Sequence, residues 1–274
     1  MNITDITNVD DSSISIYVSS SEPQLRHYRD PDGGIFIAES CKVIGRALDG
    51  GMNPESVLVS SSVFDKEEVA SLLSRMGDIP VYRAPSDVME KITGYHFTGG
   101  ILCSMTRPEL PSLQSVLPGA SKERSRIAVL ENIVNPTNVG AVFRSAAAFA
   151  IDAVILTEGT CDPLERRAMR VSMGTVFQVP WTFIGKDDVC GTLRSLGYKT
   201  AALALVDDSL TLDNPALKAE SRLAILIGNE GNGLTDETIK NADYKVIIPM
   251  SHDVDSLNAA AASAVAFWEL AGRS

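Results

Sequence analysis

The sequence predicts an α/β protein of two modules joined by a short linker, on three observations. From Gly34 to about Thr106, short β-branched runs alternate with amphipathic helical stretches. Between Arg107 and Ser125 the chain reads RPELPSLQSVLPGASKERS, with three prolines, a Pro-Gly pair, a charged run and no sustained apolar period. From Arg126 a second αβ alternation begins, and its strand-like runs are almost continuously apolar, as suits a parallel sheet covered on both faces.

Ile35, Phe36, Ile37 and Ala38 form the first expected strand. Cys41, Val43, Ile44, Ala47 and Leu48 then give a helical stripe that Gly50 and Gly51 end. Val57, Leu58 and Val59 read as the next strand. Asp65 is expected to cap a helix over residues 66–76, because its carboxylate can accept from the free N–H groups of a first turn. Val81 and Tyr82, and residues 100–103, read as two further strands. The first module therefore spans 1–107, the linker 108–124 and the second module 125–274. Within the second, strands are expected at 126–130, 153–156, 200–205, 223–227 and 245–248, and the alanine-rich stretch 256–271 is a strong helix stopped by Gly272.

At 274 residues, with 45% hydrophobic and 22% charged side chains, the chain suits two folded domains and excludes a disordered or fibrous protein. No run approaches the roughly 18 apolar residues of a membrane span, and the first residues carry no basic-then-apolar leader, so no membrane association and a cytoplasmic location are expected. Cys41, Cys103, Cys161 and Cys190 lie far apart, and His27, His96 and His252 share no ligand spacing. Free, mostly buried thiols and no metal are the expectation. The net charge of −11 is unusual for a protein that handles RNA, since phosphate contacts from Lys and Arg supply most non-specific affinity. Arg166, Arg167 and Arg170 form a local basic group.

Three segments of the second half carry chemistry. The first, NPTNVGAVFRSAAAFA over residues 135–150, is a turn into a helix. Pro136 and Asn138 set up its N-terminus, Gly140 permits close backbone approach, and Arg144 follows one to two turns in. A capped helix with a solvated arginine accounts for it equally well. The second, LAILIGNEGNGL over 223–234, is an apolar strand that stops in a loop where Gly228, Gly231 and Gly233 surround one acid, Glu230. Loops after the carboxyl ends of parallel strands bind ligands in open α/β sheets, although a plain glycine turn is the simpler alternative. The loop lacks the G-x-G-x-x-G spacing of a dinucleotide site and the chain has no P-loop lysine, which disfavours a nucleotide-dependent oxidoreductase. The third, VIIPMSHDVDSLNAAAASAV over 246–265, runs from a strand through Ile248 and Pro249 and a polar loop to Ser256, Leu257 and Asn258 at the start of the alanine-rich helix, where Ser256 or Asp255 can serve as cap.

In order and spacing these segments resemble the three motifs of the SpoU (TrmH) RNA methyltransferases of the SPOUT class. The resemblance implies a domain whose last segment threads a loop to form a trefoil knot, an exception to the rule against knots, with the knot as an S-adenosylmethionine pocket. On matching positions, Gly228, Ile248 and Leu257 would line that pocket. The resemblance also implies a homodimer through this domain, with a catalytic pocket drawing on both subunits. Arg144 falls on the position of an activator of the ribose 2′-hydroxyl; a guanidinium stays protonated, so its part would be to meet emerging negative charge. Asn138, Glu230, Ser256 and Asn258 fall on the remaining polar catalytic positions. Relatives often have a serine two residues after the asparagine of the Ser-Leu-Asn trio, where this chain has Ala260.

The first module resembles the L30e-like substrate-binding domain fused to many of these enzymes, GIFIAES over 34–40 fitting its opening strand and GYHFTGG over 94–100 its final turn. Such domains grip structured RNA. Residues 1–110 nevertheless carry nine basic and sixteen acidic side chains, and a purely structural, dimer-stabilising module is the alternative. The implied activity is transfer of a methyl group to a ribose 2′-hydroxyl, with ribosomal RNA ahead of transfer RNA. The competing possibility is an RNA-binding or ribosome-assembly protein that keeps the fold without turnover.

Overall fold

The computed structural model of the protein describes residues 2–18, 20–28, 33–93, 99–119, 121–252 and 256–271. They divide into two units, one formed by Met1–Glu109 with Leu164–Phe177, the other by Leu110–Pro163 with Gln178–Ser274.

The first unit is built on five strands, β1 (Asn2–Asp5), β2 (Ile35–Glu39), β3 (Pro54–Ser60), β4 (Pro80–Ala84) and β5 (Ile101–Thr106), in the order β1-β4-β3-β5-β2. β1, β4 and β3 run parallel, while β5 is antiparallel to both β3 and β2. All of β2 is buried, and its alternate residues Ile35 and Ile37 join Leu58, Leu102, Tyr17 and Met89 in one core cluster, the period-two sorting of a strand covered on both faces. The expected helical stripe is the helix Cys41–Asp49, with Val43, Ile44 and Ala47 buried and the Gly50 N–H closing on the Arg46 carbonyl at 3.0 Å. Asp65 does not cap the next helix. The chain turns through residues 61–65, the helix is Glu67–Ser74, and its cap position is Lys66 without a side-chain bond; Glu67 and Glu68 favour the first turn through the helix dipole instead. Of the expected turn over 94–100, residues 94–98 lie outside the described residues.

Leu164–Phe177, inside the second module by sequence, belongs to this unit. Its helix Arg166–Val171 lies against β2, the Phe177 ring centroid is 5.7 Å from that of Phe36, and Arg46 Nη1 donates to the Met173 carbonyl at 2.8 Å. Two members of the basic group are engaged by carboxylates here: Arg166 pairs with Glu22 at 3.3 Å, and Arg170 with the buried Glu39 at 3.5 Å. Burial pushes the Glu22 carboxyl above its ordinary range even though Arg166 opposes the shift.

The second unit carries seven parallel strands, β6 (Ser125–Leu130), β7 (Ala153–Thr157), β8 (Trp181–Ile184), β9 (Lys199–Leu203), β10 (Leu210–Thr211), β11 (Arg222–Ile227) and β12 (Tyr244–Ile247), in the order β10-β12-β9-β11-β6-β7-β8. β6 and β7 are buried along their whole length, as their unbroken apolar runs predict. Ile127, Val129, Ile155, Ala224 and Leu226 share one cluster with Val189, Cys190 and Leu193 of the helix Val189–Ser195. Two further helices, Pro136–Ala148 and Ala259–Leu270, pack on each other, and each bears on the sheet. Phe143 and Phe267, one from each, are fully buried, each burial contributing about 3 kcal/mol.

Arg126 breaks the apolar run of β6 and is only 2% exposed. Its guanidinium donates to the carbonyls of Leu270 (2.9 Å), Ser125 (2.9 Å), Glu220 (2.7 Å), Ser221 (3.2 Å) and Lys218 (3.4 Å). Burial lowers its pKa to about 10, which leaves it charged at neutral pH. A buried cation is tolerable here because carbonyl oxygens take the place of its water. Among the described residues no helix is long and apolar enough to cross a membrane.

Candidate functional site

β12, β9 and β11 are neighbours in the second sheet, and the chain leaving their carboxyl ends encloses a cavity of about 440 Å³. Open parallel sheets bind ligands at this end. Leu203 ends β9 and Ala204 and Leu205 follow it, residues 228–234 follow β11, and Ile248 and Met250 follow β12; Ser256, Leu257 and the first turn of the helix Ala259–Leu270 also line it.

Gly228, Ile248 and Leu257, expected together from sequence, all line this cavity, as do Glu230 and Ser256. Gly228 has no room for a side chain: a Cβ there would lie 2.2 Å from the Gly233 carbonyl carbon and from the Leu234 nitrogen. Between those points the loop closes on itself, the Gly233 N–H donating to the Asn229 carbonyl at 2.8 Å and the Asn229 N–H to the Gly233 carbonyl at 3.1 Å, with Gly233 at φ +68°. The fold leaves Glu230 exposed near the tip of this turn.

Asn138 and Asn258 are brought together beside the cavity without lining it. Asn258 Nδ2 donates to Asn138 Oδ1 at 3.1 Å. Pro136 opens the first of the two helices as expected, but the capping side chains are not the expected ones. Asn135 caps the helix Pro136–Ala148 by accepting from the Thr137 N–H at 2.9 Å, which frees the buried Asn138 for its distant partner. The last helix begins at Ala259, and Asn258 caps it by accepting from the Ala260 N–H at 3.0 Å; Ser256 does not, and Asp255 lies outside the described residues. A cap oxygen must sit two or three residues before the N–H it serves, and Asn258 occupies that place.

Arg144 stands apart. It is exposed on the helix Pro136–Ala148, makes no hydrogen bond or ion pair with a described residue and does not line the cavity of its own chain. Ala260 is half-buried in the first turn of the last helix and offers no hydroxyl.

Sequence inspection missed the groups that hold the glycine loop. Asn229 Nδ2 donates to the Asn132 carbonyl at 2.9 Å and its Oδ1 accepts from the Gly231 N–H at 2.7 Å. Glu131, 4% exposed, accepts from the Thr235 N–H and from the Thr238 hydroxyl, each at 2.6 Å. The available signal was weak: an acid directly after an apolar strand. Among the described lining residues Glu230 alone is charged.

Comparison with known proteins bears on the same region. The model of the SpoU rRNA Methylase family matches residues 125–268. An uncharacterised tRNA/rRNA methyltransferase of Mycobacterium tuberculosis is 34% identical over 263 residues, covering 90% of this chain and 88% of that protein. The Bacillus subtilis 23S rRNA (guanosine(2553)-2′-O)-methyltransferase RlmP is 26% identical over 194 residues, 69% of this chain and 77% of its own length. In fold, the chain is similar to the AdoMet-bound rRNA methyltransferase from Sinorhizobium meliloti, with a TM-score of 0.82 at 23% identity over 98% of this chain and 97% of the other.

Proposed function

From the membership of this chain in the SpoU rRNA Methylase family, a family of RNA methyltransferases, we propose that it transfers a methyl group from S-adenosylmethionine to a ribose 2′-hydroxyl, with ribosomal RNA as substrate. The observation that carries the proposal is the convergence of Gly228, Ile248 and Leu257, from three separate segments, on one cavity beyond the carboxyl ends of β9, β11 and β12. The 2′-hydroxyl and the ribosomal RNA are supported by the name of the Bacillus subtilis relative.

The cavity fits the cofactor. Its volume lies within the roughly 300–1,000 Å³ of small-molecule sites, its walls are mainly apolar, and Glu230 is the one charged residue among its described lining residues. A phosphorylated nucleotide would call for cations or a phosphate-binding loop; a nucleoside bearing a positive sulfonium suits apolar walls and one carboxylate. When bound, S-adenosylmethionine supplies an electrophilic methyl group. Gly228 lets the loop backbone close against itself, and Ile248 and Leu257 offer apolar contact. Glu230 and Ser256 stand at the cavity to orient the incoming hydroxyl, while Asn138 and Asn258 hold the two helix starts beside it. Arg144 meets the negative charge that develops on the ribose oxygen, remaining protonated throughout.

Arg144 is absent from the lining of its own chain's cavity, which supports a homodimer in which one copy completes the site of the other. Val265, 41% exposed, and Trp268, 51% exposed, on the last helix give such a dimer an apolar surface. We further infer a knotted path in the last segment of the second unit, a cytoplasmic location, and an L30e-like first unit that grips RNA. The test is incubation with labelled cofactor and total RNA, followed by mapping of 2′-O-methyl positions. Methylation at one ribosomal RNA position is expected. Methylation of transfer RNA alone would redirect the substrate, and absence of transfer to any RNA would overturn the activity.

A further inference from the structure

The glycine loop has two ends, and the consecutive residues Glu131 and Asn132, immediately after β6, hold both. At its start Asn229 is tied to the Asn132 carbonyl at 2.9 Å. At its far end the Thr235 N–H is tied to Glu131 Oε1 at 2.6 Å, and the Thr238 hydroxyl to Glu131 Oε2 at 2.6 Å. A relay runs between the threonines: Thr235 Oγ1 accepts from the Thr238 N–H at 3.3 Å and donates to Thr238 Oγ1 at 3.0 Å. Glu131 itself is fixed by its own N–H on the Ile227 carbonyl at 2.9 Å, where β6 and β11 run in register. Glu131 does not line the cavity, and both its oxygens are satisfied by the segment that leaves the loop. A carboxylate buried to this degree is stable only with such donors, so its geometry and that of the loop exit depend on each other.

We propose that Glu131 is a positioning residue that sets S-adenosylmethionine affinity by holding the exit of the glycine loop through Thr235 and Thr238. The proposal rests on the methyltransferase function given above. Glu131 touches neither cofactor nor ribose; it determines where the backbone of residues 228–234 stands. Asn229 pins the other end, so loss of Glu131 frees one end and leaves the loop attached.

The test is calorimetric titration of the full chain with S-adenosylmethionine for the wild type, Glu131→Gln, Glu131→Leu and Thr238→Val, with the cofactor KM and kcat measured in parallel. Glu131→Gln keeps an acceptor for the Thr235 N–H, and Glu131→Leu keeps neither bond. The expected order of Kd is wild type, then Glu131→Gln, then Glu131→Leu, with the last raised about tenfold or more, KM following Kd and kcat at saturating cofactor much less affected. A residue needed only for folding would lower the melting midpoint without separating KM from kcat or grading with the acceptor retained. Should Glu131→Leu fail to fold, Glu131→Gln and Thr238→Val carry the comparison. Wild-type Kd and KM in the folded variants overturn the role of Glu131 alone; failure of the wild type to bind the cofactor overturns the underlying function, and this role with it.

Discussion

Asn258 donates its side-chain amide to Asn138 while capping its own helix, and so ties two helix starts 120 residues apart through one side chain. Asn258→Ala removes the cap, a loss of about 1 kcal/mol, and leaves the buried Asn138 oxygen without this donor, about 1 kcal/mol more. Denaturant unfolding should show the combined loss. Asn258→Ser, which restores a capping oxygen but is too short for Asn138, should recover the first part only.

Arg144 has no described partner and is exposed, so Arg144→Ala should change unfolding free energy by less than about 0.5 kcal/mol and leave cofactor affinity intact. Methyl transfer should nevertheless fall by about a hundredfold or more, because a fixed cation opposite developing charge is lost. Undiminished transfer in single-turnover assays would remove Arg144 from the mechanism.

Gly228→Ala brings a methyl group to 2.2 Å from the backbone of Gly233 and Leu234, a separation that only movement of the loop can relieve. Cofactor affinity should drop about tenfold or more, with a stability cost of about 1–3 kcal/mol. Paired calorimetry and thermal melts would register both.

Glu22 offers a pH test. Burial raises its folded-state pKa above that of the unfolded chain, so the folded state keeps this proton to higher pH. Its contribution to stability is therefore most favourable below the ordinary carboxylate range and is lost as pH rises through the raised value. Glu22→Gln keeps an acceptor for Arg166 without the charge. The melting midpoint of the wild type relative to this variant should decline as pH rises above the ordinary carboxylate range.

Arg126→Met removes the donors of five carbonyl oxygens from a buried position, and should destabilise by about 3–5 kcal/mol. Arg126→Lys should rescue little, since one ammonium cannot reproduce the planar fork that reaches all of them. Urea unfolding midpoints would rank the two.

Much of this architecture was legible along the chain, because apolar runs report burial directly. β7 and β11 coincide within a residue with their apolar runs, and Gly50 ends its helix as expected. β8 escaped notice because it is short and mostly half-buried, so it carries no continuous apolar run. Gly228, Glu230, Ile248, Ser256 and Leu257, which line the cavity, were found by motif. The Asn138 to Asn258 bond was hidden because nothing local records which distant side chain will satisfy a buried amide. The capping residues of both helices were missed for the same reason: several residue types can cap, and tertiary partners decide which one does. The grouping of Leu164–Phe177 with the first unit is likewise a matter of distant contacts with β2, on which sequence adjacency is silent.

The carbonyl cage of Arg126 draws on residues 125, 218, 220, 221 and 270, so a buried cation in the first strand of the second unit is completed by the last residue of the helix Ala259–Leu270. During synthesis β6 emerges from the ribosome long before that helix exists. Until Leu270 arrives the guanidinium must stay hydrated and the sheet beneath it unsealed, so this half of the protein reaches its native state only after the helix Ala259–Leu270 has been made.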